Sequence, residues 1–250
     1  MDRETARRLN ALTRHFYESS AIGFRAAREL AWPSWWQVLE ILSPALADLS
    51  RVSVLDVGCG NGRFAHLLSA SLRQPFTYMG LDGSPQLVGL AEQRLRGVPE
   101  SRCAVWDFVE KDFSDLPDRD FNLIAAFGVL HHVPGFSRRR EFLAGLCRLL
   151  LRGGTLALST WRLRPEGELR RKVLPWEELG SYTGEPIDSR QLEPGDHLIL
   201  KENQGVRYCH FLGPLEMGEL LQGLPLTPIA SFDADGLNAP LNHYVLLRKV

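Results

Sequence analysis

VLDVGCGNGRF, residues 54–64, is the stretch that decides how this chain folds. Val52, Val54, Leu55 and Val57 make the apolar, β-branched run of a central parallel strand buried on both faces. Gly58, Gly60 and Gly62 follow at alternate positions, so the backbone turns sharply and approaches a ligand without Cβ interference. Asp56, at the end of the strand, sets a carboxylate beside that turn, where it suits a ligand carrying a cation or an amine.

Turns of this kind also serve dinucleotide and phosphate sites. A second strand narrows the choice. TYMGLDGS, at 77–84, is apolar and ends in Asp82, 20 residues past Gly62. A carboxylate there accepts hydrogen bonds from both hydroxyls of a ribose. That spacing also admits NAD. The turn, however, is G-x-G-x-G with an acid two residues before its first glycine, where a pyrophosphate binder keeps a neutral residue. The pattern therefore favours S-adenosylmethionine as the cofactor, contacted by Asp56, Gly58, Cys59, Gly60, Asp82 and Gly83.

Working outward, an amphipathic helix over about 3–18 leads to a second helix with Pro33 in its first turn, ending near Asp48. Strand 52–57, helix 62–72, strand 76–81, helix 85–96, strand 103–109, strand 121–127, helix 138–151 and strand 154–160 then follow. This alternation implies right-handed crossovers in a doubly wound parallel sheet. A helix around 214–222 and two closing strands, TPIASFDAD and NHYVLLRKV, complete it as a hairpin. The expected fold is α/β: a seven-stranded, Rossmann-like methyltransferase sheet with an N-terminal helical lead-in and an inserted lid. The divisions are a helical cap over 1–50, a cofactor core over 51–161, an insertion or lid over 162–205, and completion of the same sheet over 206–250.

With 250 residues, a net charge of −1 and no apolar run near the roughly 20 residues of a membrane span, the expectation is a globular cytoplasmic protein. The charged start, MDRETARRLNALTRHF, does not resemble a signal peptide. Cys59, Cys103, Cys147 and Cys209 lack any CxxC spacing, so reduced thiols are expected and no metal site. All but four of the 29 basic residues are Arg, whose fork suits carboxylate and phosphate. The basic runs Arg138–Arg140 and Arg170–Lys172, with Arg162 and Arg164 nearby, read as solvated faces or as phosphate contacts.

Asp112 and Phe113 precede the fourth strand and suit an adenine amine and ring, with Asp107 a rival for the same role. GVLHHVP places Gly128, Val129 and the His131–His132 pair at the ligand edge, where only one imidazole, His132, faces a pocket. Arg28 and Trp32, just before Pro33, either clamp an acidic substrate or pack a helix on the sheet. Arg207, Tyr208 and His210 carry the same two readings.

With FYESSAIGFRAARELAWP (16–33), LALSTW (156–161), LEPGDHLIL…RYCHFLGPLEMGELL (192–221) and NHYVLLRK (242–249), these residues resemble the tRNA wobble-uridine carboxymethyl methyltransferase family. The lead-in F-x-x-x-R-x-x-x-W-P and the late R-Y-x-H are the specific parts. The resemblance implies methyl esterification of 5-carboxymethyluridine in tRNA. It places Tyr17 and Arg28 over the cofactor, and Arg28, Trp161, Arg207 and His210 on the substrate side. It implies tRNA as partner and, in eukaryotic members, a small zinc-binding activator subunit. Leu198-Ile199-Leu200 stand where the family has Val-Pro-Trp, Cys209 replaces a Tyr, and His243 replaces a Trp.

A carboxylate acceptor is ionised at neutral pH and needs no general base, so alignment by Arg28 or Arg207 and a hydrogen bond from His210 are the catalytic contributions expected. A small-molecule carboxylate or phenol methyltransferase is the alternative acceptor class. A cofactor-binding protein without turnover is the third.

Overall fold

The computed structural model describes residues 1–27, 31–162, 168–202, 204–236 and 240–250, so Arg28 and Arg164 lie outside the described residues. Helices α1 (Arg3–Ala27) and α2 (Pro33–Ala47) precede the sheet. Then come β1 (Val52–Val57), α3 (Arg63–Ser71), β2 (Phe76–Asp82), α4 (Pro85–Arg94), β3 (Ser101–Val105), β4 (Phe121–Phe127), α5 (Phe136–Leu149) and β5 (Leu150–Trp161). Short β6 (Val173–Leu174) and α6 (Leu179–Thr183) lead to β7 (Asp196–Lys201) and β8 (Gly205–His210). Helix α7 (Pro214–Leu221), β9 (Leu226–Ala234) and β10 (Asn242–Lys249) finish the chain.

The central sheet has seven strands in the order β3-β2-β1-β4-β5-β10-β9. It is parallel except for β10, which runs antiparallel to both β5 and β9. Strand order reverses between β1 and β4, and a crevice opens beyond the carboxyl ends of the strands at such a switch point. Alternate residues of β1 divide the core. Leu55 and Val57 join Leu81, Ile124, Leu143 and Leu146 under α5, while Val52 and Val54 join Trp35, Val38, Phe64 and Leu68 under α2 and α3. All twelve are buried, which makes burial of these apolar faces the main term holding the layers together, at about 1.5–3 kcal/mol per large side chain.

Three departures from the sequence reading matter for function. Helix α1 continues to Ala27 instead of stopping near residue 18. Strand β3 ends at Val105, short of 109, so Asp107 sits in the loop beyond the strand. The stretch 162–205 is not irregular throughout. Strands β6, β7 and β8 form a separate antiparallel three-stranded sheet, and the division drawn at 205 cuts through the β7–β8 pairing. Strand β8 therefore belongs with this small sheet and not with the central one. No helix of the described residues is long and apolar enough to cross a membrane.

Candidate active site

The glycine turn is tied to its neighbour strand: Gly58 N and Cys59 N donate to Leu81 O at 2.7 and 3.0 Å. Gly58 has φ +73°, and a Cβ there would lie 2.0 Å from Val129 Cγ2. Asp82, the last residue of β2, accepts from Gly60 N through one oxygen and from Ser84 N through the other, each at 2.9 Å. Burial pushes its pKa up against the backbone N–H groups of Ser84, Gly60 and Gly83. Asp56 accepts from the Tyr78 hydroxyl at 2.7 Å. Burial pushes its pKa up to about 7 against that hydrogen bond, the Asp82 charge adding to the rise. An ammonium group brought beside Asp56 would hold it ionised.

These acids line one cleft with Gly58, Cys59, Gly60, Gly83, Val129, His132 and Trp161. Helix α1 lies along it, presenting Asn10, Thr13, Arg14 and Tyr17, the i, i+3, i+4, i+7 stripe of one helix face. Asn10 Nδ2 and Arg14 Nη1 hold the two oxygens of Asp107 at 2.9 and 3.1 Å. Asp107, Phe108 and Val109 thus form the cleft's far wall.

This corrects the expectation for Asp112 and Phe113. Asp112 is exposed, accepts from Ser114 N at 2.6 Å, and caps a single 3-10 turn away from the cleft. Phe113 is buried between Trp106 and Phe142 in the core. Strand β3 ends four residues early, so the chain reaches the cleft at Asp107 and has turned away by 112.

The other end of the cleft is aromatic, walled by Trp32, Trp35, Phe127, Trp161 and Tyr244, with Ser159 and Asn242 as polar contacts. His132 faces it, while His131 is fully buried and stacks on Trp161 at 4.5 Å. Gly128, with φ +73°, turns the chain from β4 towards Val129. Arg207 stands one layer behind this wall. Its guanidinium lies 4.4 Å from the ring centres of both Phe16 and Trp161 and donates to the Tyr17 hydroxyl at 3.2 Å.

Tyr208 and His210 do not reach the cleft. Side chains alternate along β8, so Tyr208 and His210 point away from the face that carries Arg207. There the His210 nitrogens meet Asp196 Oδ1 at 2.7 Å and Glu216 Oε2 at 2.8 Å. The Tyr208 hydroxyl donates to the same Asp196 oxygen at 2.7 Å. Arg139 of α5, with no exposed surface, bonds both Glu193 and Glu216. The run Arg138–Arg140 is therefore not a solvated face: its middle residue is the cation of a buried network joining α5, α7 and the small β6–β8 sheet.

Burial opposes a charge on His210, but Asp196 and Glu216 outweigh it and raise the pKa above the ordinary 6.5. The pairing stabilises the fold in full below about pH 6.5 and is lost as pH climbs through the raised value. We expect His210→Gln, which cannot titrate, to be less stable than wild type by about 1–3 kcal/mol at pH 6. Denaturant melts between pH 6 and 9 should show that gap narrowing as pH rises.

His131, His132 and Cys209 bring three ligand-type atoms within 4.8 Å of one another. The His132 nitrogens are engaged by Tyr17 and the Tyr208 carbonyl, and His131 Nδ1 accepts from Trp161 N at 3.4 Å. Burial pushes the Cys209 thiol far up, away from the thiolate that a metal requires.

Sequence reasoning missed Asn10, Thr13 and Arg14, although their helical spacing with Tyr17 marks one face of α1. It also missed Trp35 of α2, Phe127 of β4, and Ser159, Asn242 and Tyr244, which carry no motif; the last three come together through the register of β5 and β10, where Tyr244 lies opposite Ser159 and Asn242 opposite Trp161.

Residues 55–156 match the Methyltransferase domain family Methyltransf_12. The chain carries a class I, S-adenosylmethionine-dependent methyltransferase domain. The chain is 30% identical over 181 residues to the probable tRNA methyltransferase 9B of Homo sapiens, covering 70% of this chain and 35% of that protein. It is 35% identical over 149 residues to the phthiotriol/phenolphthiotriol dimycocerosates methyltransferase 1 of Mycobacterium ulcerans, covering 58% of this chain and 47% of that one. The chain thus spans a third to a half of the length of these curated relatives. Its fold matches that of the DhpI complex with S-adenosylhomocysteine, with a TM-score of 0.61 at 18% identity, over 96% of this chain and 97% of that one.

The methyltransferase cleft fits its cofactor on its own chemistry. A side chain at Gly58 would run into Val129 on the cleft wall, and Asp82 has both oxygens oriented by backbone donors. Asp56 is a buried acid whose ionisation an amine would complete. When bound, the cofactor supplies a methyl group already activated on a sulfonium.

Proposed function

We propose that this protein O-methylates a carboxylate, by its resemblance the acid of a 5-carboxymethyluridine in tRNA, in the cytoplasm. Arg207 is the observation that carries this reading. Its side chain is only 7% exposed, yet among the described residues it has no carboxylate partner, and its Nε has no hydrogen-bond acceptor. Buried charges are ordinarily paired, because an unpaired one forfeits its hydration. An anionic acceptor entering beside Tyr17 and Trp161 restores that balance, and the low-dielectric surroundings strengthen the attraction. On this reading Asp82 holds the ribose, Asp56 the amine, Asp107 the adenine side, and Tyr17 closes the cleft.

We expect Arg207→Ala to raise the acceptor KM at least about tenfold while leaving S-adenosylmethionine affinity, measured by calorimetry, within about twofold. Loss of both together would mean damage to the fold and would remove the support. Transfer of labelled methyl to tRNA from cells lacking the modification, as a base-labile and ribonuclease-sensitive product, tests the acceptor.

A second reading, a small-molecule acid as acceptor, is favoured by two observations. Leu198 and Ile199, where the family has Val-Pro, are fully buried in β7 and offer a substrate nothing. Arg162 is already paired with Asp233 at 3.1 Å, and Arg140 with the Glu219 and Gln222 carbonyls, so neither awaits a phosphate. Transfer that is insensitive to ribonuclease and to salt would select this reading.

A further inference from the structure

A carboxylate acceptor arrives without a proton, and nothing in the reading above uses the hydrogen-bond chain that ends at Tyr17. Arg207 Nη1 donates to the Tyr17 oxygen at 3.2 Å. The Tyr17 hydroxyl lies 2.9 Å from His132 Nε2, and His132 Nδ1 lies 2.9 Å from the Tyr208 carbonyl oxygen. The direction of this chain is fixed at both ends. A guanidinium has only protons to give, and a carbonyl oxygen has only lone pairs. His132 Nδ1 therefore carries a proton, and its Nε2 is the acceptor of the Tyr17 proton. The chain runs Arg207 to Tyr17 to His132 to the Tyr208 carbonyl, with Tyr17 and His132 both on the cleft wall. A guanidinium on the phenol oxygen stabilises negative charge there, and the imidazole stands ready for the proton that leaves.

We propose that Tyr17 and His132 form a proton-accepting pair, which gives this protein a second activity: methylation of an acceptor hydroxyl of the phenol class. The Tyr17 oxygen takes the acceptor's proton as its own proton moves to His132 Nε2. The acceptor oxygen bonds the methyl carbon while the carbon–sulfur bond of the donor breaks, leaving its electron pair on sulfur. One proton is left on the imidazole, whose charge is shared with the Tyr208 carbonyl, and no other reactant is needed. Tyr17 is the catalytic residue of this step, and His132, acting through it, is the positioning residue. The flat walls supplied by Trp32, Phe127 and Trp161 match an aromatic ring, and proton transfer by a positioned group is worth about 10²–10⁴ in rate.

The proposal goes beyond the carboxylate reading and is tested separately from it. The probe is 4-nitrophenol, bound to the full chain in the presence of S-adenosylhomocysteine so that no turnover occurs, with ionisation followed by the visible band of the phenolate. Bound probe should ionise at a pH at least one unit below free probe. His132→Asn keeps a donor for the Tyr208 carbonyl but removes the acceptor of the Tyr17 proton, and should abolish that shift. Tyr17→Phe, which breaks the chain from the other side, should do the same. With S-adenosylmethionine, methylation of 4-nitrophenol by His132→Asn should fall about 100-fold and lose the acid limb of its pH profile. Failure of wild type to bind the probe at millimolar concentration, ionisation unchanged from water, or the same shift in both variants would each overturn the proposal.

Discussion

Gly58→Ala should reduce S-adenosylmethionine affinity by at least about 100-fold, read by calorimetry, and lower the melting temperature as well. Two separate penalties act at this position. The backbone sits at φ +73°, a left-handed conformation that costs an L-residue about 1–2 kcal/mol. The new methyl would also fall 2.0 Å from Val129 Cγ2, so Val129 or the turn must move, and both line the cleft. The two are separable. Val129→Ala placed in the Gly58→Ala background removes the overlap and leaves the conformational cost, so it should recover part of the affinity but not all. Gly89→Ala, in helix α4 with open space around its Cβ and an ordinary φ, is the neutral control.

Arg139→Ala should be the most destabilising single change outside the cleft, at about 3–5 kcal/mol in chemical denaturation. The side chain is fully buried and joins two carboxylates, Glu193 before β7 and Glu216 in α7. Removing it leaves two partly buried acids facing each other with only His210 between them. Replacing the acid as well, in Arg139→Met with Glu216→Gln, removes much of the uncompensated charge and should restore part of the loss. The cofactor site of the single variant should stay intact wherever the protein remains folded, because none of these groups lines the cleft.

Much of the fold was open to reading because burial on both faces leaves an unambiguous pattern. VSVLDV and FNLIAAF are runs that only a central strand uses, and the structure begins and ends them where the pattern does, at 52–57 and 121–127. The glycine turn was legible for a similar reason, since alternate glycines after such a strand serve close approach. Asp107 and Asp112 were not separable in sequence. Each is an acid followed by a phenylalanine, and what decides between them is Asn10 and Arg14, almost a hundred residues away. Tyr208 and His210 were a different kind of failure. Had 205–210 been taken as a strand, its period of two would have set Arg207 apart from both, and His210 would have been assigned to packing instead of substrate. Residues 162–205 gave little, because a small sheet of two- and six-residue strands has too short a repeat to stand out from loop.

The position of β10 has a consequence for the order in which this protein becomes a protein. It is the last strand in sequence, yet it lies between β5 and β9, hydrogen-bonded to both. Until residues 242–249 have left the ribosome, β5 presents a long, apolar, unpaired edge, of the kind that recruits other chains. The first helix has the same dependence, since it packs on β8 and cannot settle before residue 210 is made. The nascent chain therefore carries an almost finished nucleotide crevice with neither its roof nor its closing strand. The interval between residue 161 and residue 249 is its period of greatest exposure to aggregation and to the chaperones that prevent it.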